Sequence, residues 1–331
     1  MTGRHNEFDL IELLFAPLAK NAPGAFGLKD DAARLISSPG YDVIMTVDTV
    51  ISGVHFRADD PPHLVAQKAL RVNLSDLAAK GARPLGFLQA LSLNDDVSDD
   101  YLRAYAAGLA ADVAEFHVPL FGGDTTSGSG PLAISITAYG EVPHGEMILR
   151  SGAKAGDVIC VSGTIGDGAL GLACLTGRLH LSESYQEALI ARYQLPMPRL
   201  SAGQALRTHA SACLDISDGM VADIGHICKM SKVAAVIERD ALPLSPAGRA
   251  AVTQDPDLWS AVLGGGDDYE LAFTLPSREV SKIGQLAQAA GVSLTVIGRI
   301  VGGENAKLGS VTVLDATGAP IAVPVEGYRH R

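Results

Sequence analysis

The chain has 331 residues, 47% of them hydrophobic and 19% charged, with a formal net charge of −11. Domains typically run to about 100–200 residues, so two are expected, and the composition describes an ordered, core-forming protein without disordered bulk. The acidic balance excludes a sequence-independent nucleic-acid binder, which needs a basic face to displace counterions, so any phosphate-bearing ligand has to be met by local features.

The four cysteines, Cys160, Cys174, Cys213 and Cys228, show no C-x-x-C spacing and read as buried free thiols in a reducing cytosol. Glu12 interrupts Leu10–Phe15 as a signal-peptide core, and no run approaches the ~18 apolar residues of a membrane span. A soluble cytoplasmic protein is expected.

In chain order, a short helix is predicted over residues 8–19, then a loop carrying Gly27-Leu28-Lys29-Asp30-Asp31-Ala32-Ala33. A strand over 43–50 follows, with Thr46 and Asp48 on one face by period-2 alternation and the apolar Met45 and Val47 on the other. The next helix holds Leu70, Leu74, Leu77, Ala78 and Gly81 at helical spacing as one apolar stripe, with Asp76 turned away from it. Gly81 and Pro84 end that helix. Within it Asn73, Ser75 and Asp76 read either as solvated surface residues or as a polar cluster with a task.

A strand over 85–93, an alanine-rich helix over 99–116, the motif Gly122-Gly123-Asp124-Thr125-Thr126 and a strand over 132–142 complete the first half. Pro143, Gly145, Gly152 and Gly156 mark a linker, giving domains 1–149 and 150–331. The second half is read as helices over 167–176, 184–193, 201–210 and 220–230, with strands over 157–162, 213–216, 234–237, 271–274, 294–300 and 311–314. Strict βαβ alternation is missing, so two α+β domains are expected.

Nine aspartates sit in Gly-, Ser- or Thr-containing motifs: Asp30, Asp31, Asp48, Asp76, Asp124, Asp215, Asp218, Asp267 and Asp268. Singly each reads as a turn or helix-cap residue. Converging carboxylates repel one another unless divalent cations neutralise them, and hard oxygen ligands select Mg²⁺ or Ca²⁺ over Zn²⁺. Mg²⁺ on a few carboxylates, completed by substrate phosphates, suits phosphoryl transfer. The run Cys160–Gly171 reads either as a phosphate-cradling glycine loop or as a structural strand-to-helix turn, and it lacks the Gly-Lys-Ser/Thr ending of a Walker site. Arg150, in Arg150-Ser151-Gly152-Ala153-Lys154, reads as a bidentate phosphate grip or as a solvated linker charge. His55 is either a substrate contact or a packed, capping residue, and Trp259 reads as core.

Taken together these motifs resemble the thiamine-monophosphate kinases of the aminoimidazole ribonucleotide synthetase-like superfamily. The likeness covers nearly the whole chain and rests on Asp30–Ala33, Thr46–Val50, Gly53–Phe56, Lys68–Ala79, Gly122–Thr126, Arg150–Lys154, Asp215–Gly219 and Gly265–Leu271 in family order. It implies ATP-dependent phosphorylation of thiamine monophosphate to thiamine diphosphate by direct transfer, with several Mg²⁺ ions, in a homodimer whose amino-terminal domains pair across the ATP sites. By motif it makes Asp31, Thr46, Val47 (through its backbone), Asp48, Asp76, Asp124, Asp215 and Asp218 metal-site residues. Gly123, Asp124, Arg150 and Ser217 become nucleotide contacts, His55 and Asp267 substrate contacts, and Asp218 and Arg150 the catalytic pair.

Three departures bear on the substrate. Lys29 stands where the family usually has Gly, Asp267 where it has Glu, and Val325 about where many members place an aromatic. Two sister enzymes fit worse: the first cysteine is Cys160, far from the amino-terminal reactive Cys or selenocysteine of selenophosphate synthetases, and the tail Tyr328-Arg329-His330-Arg331 lacks the terminal cysteine of the hydrogenase-maturation dehydratase.

Overall fold

The computed structural model of the chain describes residues 7–302 and 307–323, so Val325 and the tail Tyr328–Arg331 lie outside the described residues. The chain divides into two compact units, Met1–Leu77 with Ala82–Gly145, and Ala78–Gly81 with Glu146–Arg331. No helix among the described residues is long and apolar enough to cross a membrane.

The first unit begins with α1 (Glu7–Leu10), which passes into a π turn at Ile11–Phe15 and a 3₁₀ turn at Ala16–Ala19. The single helix expected over 8–19 is thus three short turns. Pro17, at the start of the 3₁₀ turn, has no amide hydrogen with which to continue an α-helix. The unit's sheet runs β1-β4-β2-β3, built from β1 (Tyr41–Ile51), β2 (Arg83–Leu93), β3 (Leu120–Ser127) and β4 (Ala133–Pro143). β4 pairs antiparallel with β1 and β2, while β3 runs parallel to β2, the crossover being made by α3 (Asp99–Phe116). The motif Gly122–Thr126 therefore lies inside a strand. Gly123 is required there, because a Cβ would come within 2.0 Å of the Gln89 carbonyl oxygen.

Along β4 the residues Ile134, Ile136 and Ala138 are buried at every second position, and they face α2 (Pro62–Ala79) and α3. Hydrogen bonds pin both helices there: Tyr105 on α3 donates to Gln89 on β2 at 2.7 Å, and Asn73 on α2 accepts from the Asp48 amide at 3.0 Å. Unlike the amphipathic helix expected, α2 is buried on every side from Val65 to Ser75. Asn73 and Ser75 are fully buried, so the solvated-surface reading fails for both. Asn73 is stable inside because its amide is satisfied twice, donating to the Ala69 carbonyl and accepting from β1. The two faces of β1 alternate as the period of two predicts, and it is the apolar face that lies open. Met45 and Val47 are 68% and 60% exposed, whereas Thr46 and Asp48 turn toward α2.

The second unit holds a seven-stranded sheet in the order β11-β10-β7-β9-β5-β8-β6. Its elements in sequence are β5 (Val158–Ser162), α4 (Asp167–Leu175), α5 (Glu183–Gln194), α6 (Leu200–Leu206), β6 (Ala212–Asp215), α7 (Met220–Ser231), β7 (Ala234–Glu238), α8 (Pro246–Gln254), α9 (Trp259–Gly264), β8 (Leu271–Leu275), α10 (Ile283–Ala290), β9 (Leu294–Val301), β10 (Val311–Leu314) and β11 (Pro320–Ile321). β10 and β7 are parallel and the other pairings antiparallel. Both faces of the sheet are covered: Ile159 and Val161 join one core with Met220 and Ile224, while Cys160 joins another with Cys213 and Phe273. All four cysteines are buried and free, and desolvation pushes the Cys160 and Cys213 thiols up to about 12. α8, α9 and α10 were not foreseen, although Ser245 capping the Gly248 amide before Pro246 is an ordinary start signal. α6 is shorter than the 201–210 expected. Trp259 is half-buried at the edge of the core, with the Arg239 guanidinium 5.3 Å from its ring centroid.

A buried ion pair ties α2 to α3. Arg71 donates twice to Asp112, at 2.9 and 2.8 Å, and Gln67 adds a third hydrogen bond at 2.7 Å. Asp112 is fully buried, and Arg71 nearly so. Asp112→Ala removes the bidentate carboxylate from a guanidinium that water does not reach, and with Glu115 still accepting from Arg71 at 2.9 Å it is expected to cost about 3 kcal/mol. Urea denaturation checks this, and a loss under about 1 kcal/mol would contradict it.

Candidate functional site

In the first unit the acidic motifs assemble in two groups. On the α2 side of the sheet, Thr46 Oγ1 donates to Asp76 Oδ2 at 2.5 Å, and Asp48 is held beside them by its amide bond to Asn73. Asp76 is half-buried between the buried Ser75 and Leu77, so the helix presents this one carboxylate at a solvent-reached edge. The other face of the sheet, overlaid by residues 11–35, forms a cavity of about 710 Å³. Asp30, Asp31, Gly123 and Asp124 line it, with Ser135 and Thr137 from β4. Strand register explains the separation: Asp48 aligns with Ile136 on the α2 face, whereas Asp124, through Ala90, aligns with Ser135 on the cavity face.

The cavity is acidic. Three carboxylates line it, and among the described lining residues there is no Lys, Arg or His to offset them. Lys29, the departure beside Asp30, is not part of the lining. Asp30 Oδ1 accepts the Asp31 amide at 2.8 Å and so fixes the local turn. Hard oxygen donors of this kind fit Mg²⁺.

Val47 sits between Thr46 and Asp48 in sequence, its side chain outward and 60% exposed. His55 Nδ1 accepts the Ile51 amide at 3.1 Å in the turn after β1, which leaves the ring's hydrogen on Nε2. This is the capping arrangement that sequence reasoning weighed against substrate contact.

In the second unit Asp215 ends β6 and Ser217-Asp218-Gly219 turns into α7. Asp223, in the first turn of α7, folds its Oδ2 back to accept the amides of Ser217, Asp218 and Gly219, each at 3.1 Å. One carboxylate thus moulds the whole turn. Asp218, Asp223 and His226 place ligand atoms within 4.8 Å of one another. Sequence reasoning missed Asp223 and His226, and the signal available was their i, i+3 spacing on the helix that Asp218 precedes.

Asp267 joins this turn. Its amide donates to the Ser217 carbonyl at 3.0 Å, and the Tyr269 amide donates to the Ile216 carbonyl at 2.8 Å. Asp267 and Tyr269 both adopt left-handed backbone, at φ +68° and +50°. Such residues cost about 1–3 kcal/mol each and persist only where the surroundings hold them. Here Asp268 and Glu270 do the holding. The Asp268 carboxylate, buried, accepts the Gly166 amide at 2.7 Å and the Gly168 amide at 3.0 Å. Glu270, fully buried, accepts from Ser162 at 2.5 Å, from Arg192 at 2.7 Å, and from Arg199 at 2.7 and 2.5 Å.

The same bonds resolve the glycine loop over 160–171. The two amides at the start of α4 that a phosphate would take are given to Asp268, so this is a structural strand-to-helix turn. Arg150 does not share the Asp218 turn. Its loop is fastened by the Gly152 and Ala153 amides to Ser231 Oγ, at the far end of α7 from Asp218, about 18 Å along a helix of this length. The Arg150 side chain is exposed.

Burial pushes the Asp268 carboxyl up to about 8, against the two amide bonds that favour its ionised form. Burial, with Asp218 alongside, pushes Asp223 up to about 7. An unfolded Asp titrates near about 3.9, so between that value and about 8 the folded chain holds more protons than the unfolded one. Stability from these two groups is fully present below about pH 4 and is lost as pH rises through 7–8. Unfolding free energies measured from about pH 5 to 9 should decline across neutrality, and a steady climb would contradict the assignment.

Comparison with known proteins bears on what this arrangement belongs to. Residues 29–142 match the family of AIR synthase related proteins, N-terminal domain, and residues 154–310 the corresponding C-terminal domain. A thiamine-monophosphate kinase of Caulobacter vibrioides is 44% identical over 302 residues, 90% of this chain and 85% of the relative. The crystal structure of thiamine-monophosphate kinase from Stenotrophomonas maltophilia superposes with a TM-score of 0.83 at 39% identity, covering 94% of this chain and 98% of that one. AaThiL complexed with AMPPCP and TMP superposes with a TM-score of 0.76 at 30% identity over the whole of both chains. With the two-domain α+β architecture and the acidic motifs in place, the chain belongs to the thiamine-monophosphate kinase family, within the AIR synthase related proteins.

Proposed function

We propose that this protein transfers the γ-phosphoryl group of ATP to the phosphate of thiamine monophosphate, with Mg²⁺, giving thiamine diphosphate and ADP. An oxygen of the thiamine phosphate attacks the γ-phosphorus, the bond to the β-bridging oxygen breaks, and ADP leaves. The observation that carries this reading is the acidic cavity of Asp31 and Asp124 in a chain of this family. AaThiL, aligned over its full length, was solved with AMPPCP and TMP together, which supports both substrate classes.

The acceptor is an ionised phosphate, so no strong base is needed, and what the chain supplies is positioning and charge. On this reading Asp31, Thr46, Val47 through its carbonyl, Asp48, Asp76, Asp124, Asp215 and Asp218 hold the metal ions. Bound Mg²⁺ supplies neutralisation of the phosphate oxygens as charge develops in the transition state. Gly123 and Ser217 contact the nucleotide, Asp218 attends the transferring group, and His55 and Asp267 contact the thiamine phosphate; Arg150, fastened at the far end of α7 from Asp218, is left out of this set. Residues 1–149 serve as the ATP, Mg²⁺ and dimerisation domain, and 150–331 complete the nucleotide and substrate sites.

The protein works as a cytoplasmic homodimer on this proposal. Its support is the outward stripe of Tyr41, Val43, Met45 and Val47 on the edge strand β1, from 40 to 68% exposed, an apolar row that a second copy would cover.

Incubation with ATP, Mg²⁺ and thiamine monophosphate should yield thiamine diphosphate and ADP in equal amounts, with EDTA abolishing turnover. Asp76→Asn and Asp124→Asn should each lower kcat by roughly 10²–10³ without a fall in Tm. Turnover near wild type at limiting Mg²⁺ in both variants would remove them from the metal set.

Light scattering should return about twice the 34.3 kDa chain mass. Val47→Lys, placing a charge in the exposed stripe, should shift the population to monomer, and a wild-type monomer at micromolar concentration would overturn the dimer.

A further inference from the structure

The Asp267 loop rests on the first turn of α4 without any gap. A Cβ at Gly168 would come within 2.4 Å of the Asp267 carbonyl oxygen, 2.5 Å of its carbonyl carbon and 3.0 Å of its Cβ. The amide of the same Gly168 donates to Asp268 Oδ1 at 3.0 Å, while Gly166 donates to Oδ2 at 2.7 Å. With each carboxylate oxygen engaged by a different amide, the Asp268 side chain cannot rotate without losing both bonds.

Two left-handed residues, Asp267 and Tyr269, flank this clamp, with their amides given to the Ser217 and Ile216 carbonyls. We infer that Gly168 and Asp268 are positioning residues for the substrate-contacting carboxylate of Asp267: the absent side chain of one and the two-point clamp of the other set where it stands. The inference rests on Asp267 being a contact of the thiamine phosphate, as proposed above. It assigns a specificity-determining task to the turn at the start of α4, which sequence reasoning weighed as a phosphate loop.

Gly168 offers a clean lever. It is not among the glycines with positive φ, and Ala is a better helix former than Gly, so the backbone of α4 tolerates Gly168→Ala. What does not tolerate it is the loop lying against it.

The test compares wild type, Gly168→Ala, Asp268→Asn and Asp267→Ala by steady-state kinetics in each substrate and by calorimetric binding of thiamine monophosphate. Asp268→Asn keeps one acceptor oxygen but turns an amide NH₂ against a backbone N–H, and it serves should the alanine variant not fold. Because a misplacement of about 1 Å can cost up to roughly 10²-fold, KM and Kd for thiamine monophosphate should rise about tenfold or more in both positioning variants, with KM for ATP within about twofold of wild type. Unchanged thiamine-phosphate affinity in folded Gly168→Ala and Asp268→Asn, alongside weakened Asp267→Ala, overturns the positioning role alone. Wild-type affinity in Asp267→Ala overturns the reading of Asp267 and the positioning role with it. Equal losses toward ATP and thiamine monophosphate would mark a general structural defect and also overturn it.

Discussion

The second unit depends on one fully buried carboxylate. Glu270 stands at the start of β8, and Arg192, Arg199 and Ser162, from three separate elements, converge on its two oxygens. A buried charge without partners costs several kcal/mol, so these elements are held to whatever arrangement keeps Glu270 satisfied. That constraint propagates along the chain. With Glu270 fixed, Asp268 reaches back to the α4 amides, and the left-handed backbone between them leaves Asp267 against the Ser217 turn.

Asp223 repeats the device one loop away. Its carboxylate takes three successive amides and shapes the turn that carries Ser217 and Asp218. In both loops a buried acid spends its hydrogen-bonding capacity on backbone beside a half-buried acid, Asp267 in one and Asp218 in the other. This division of labour lets a chain place several negative charges close together without filling its interior with unpaired ones. The first unit handles the same problem differently. Asp112 is neutralised inside by Arg71, whereas Asp31 and Asp124 line an acidic cavity with no basic lining residue among those described.

Much of the architecture was legible from local chemistry. The helix over 99–116, legible as an alanine-rich run, matches α3, whose start is capped by Ser98 accepting the Tyr101 amide and whose end is a left-handed His117. The strand over 311–314 was legible from its apolar run. The short helices α8, α9 and α10 were not, although α4 and α6, of similar length, were. Glu270 was legible only as a letter in a motif, because its partners lie 71 to 108 residues away.

The sequence by itself determined the two-domain α+β class, the family, and which acids cluster in glycine- and serine-rich motifs, because these follow from composition, periodicity and motif order along the chain. Tertiary structure alone decided which acids are interior scaffolding and which line a site. It buried Asn73 and Ser75 in a helix whose pattern promised a wet face, gave the glycine loop's amides to Asp268 instead of to phosphate, and put Asp48 and Asp124 on opposite faces of one sheet. The physical reason is the same in each case: whether a polar group meets water, a backbone amide or a second charge is set by chain segments distant in sequence, and no local pattern records them.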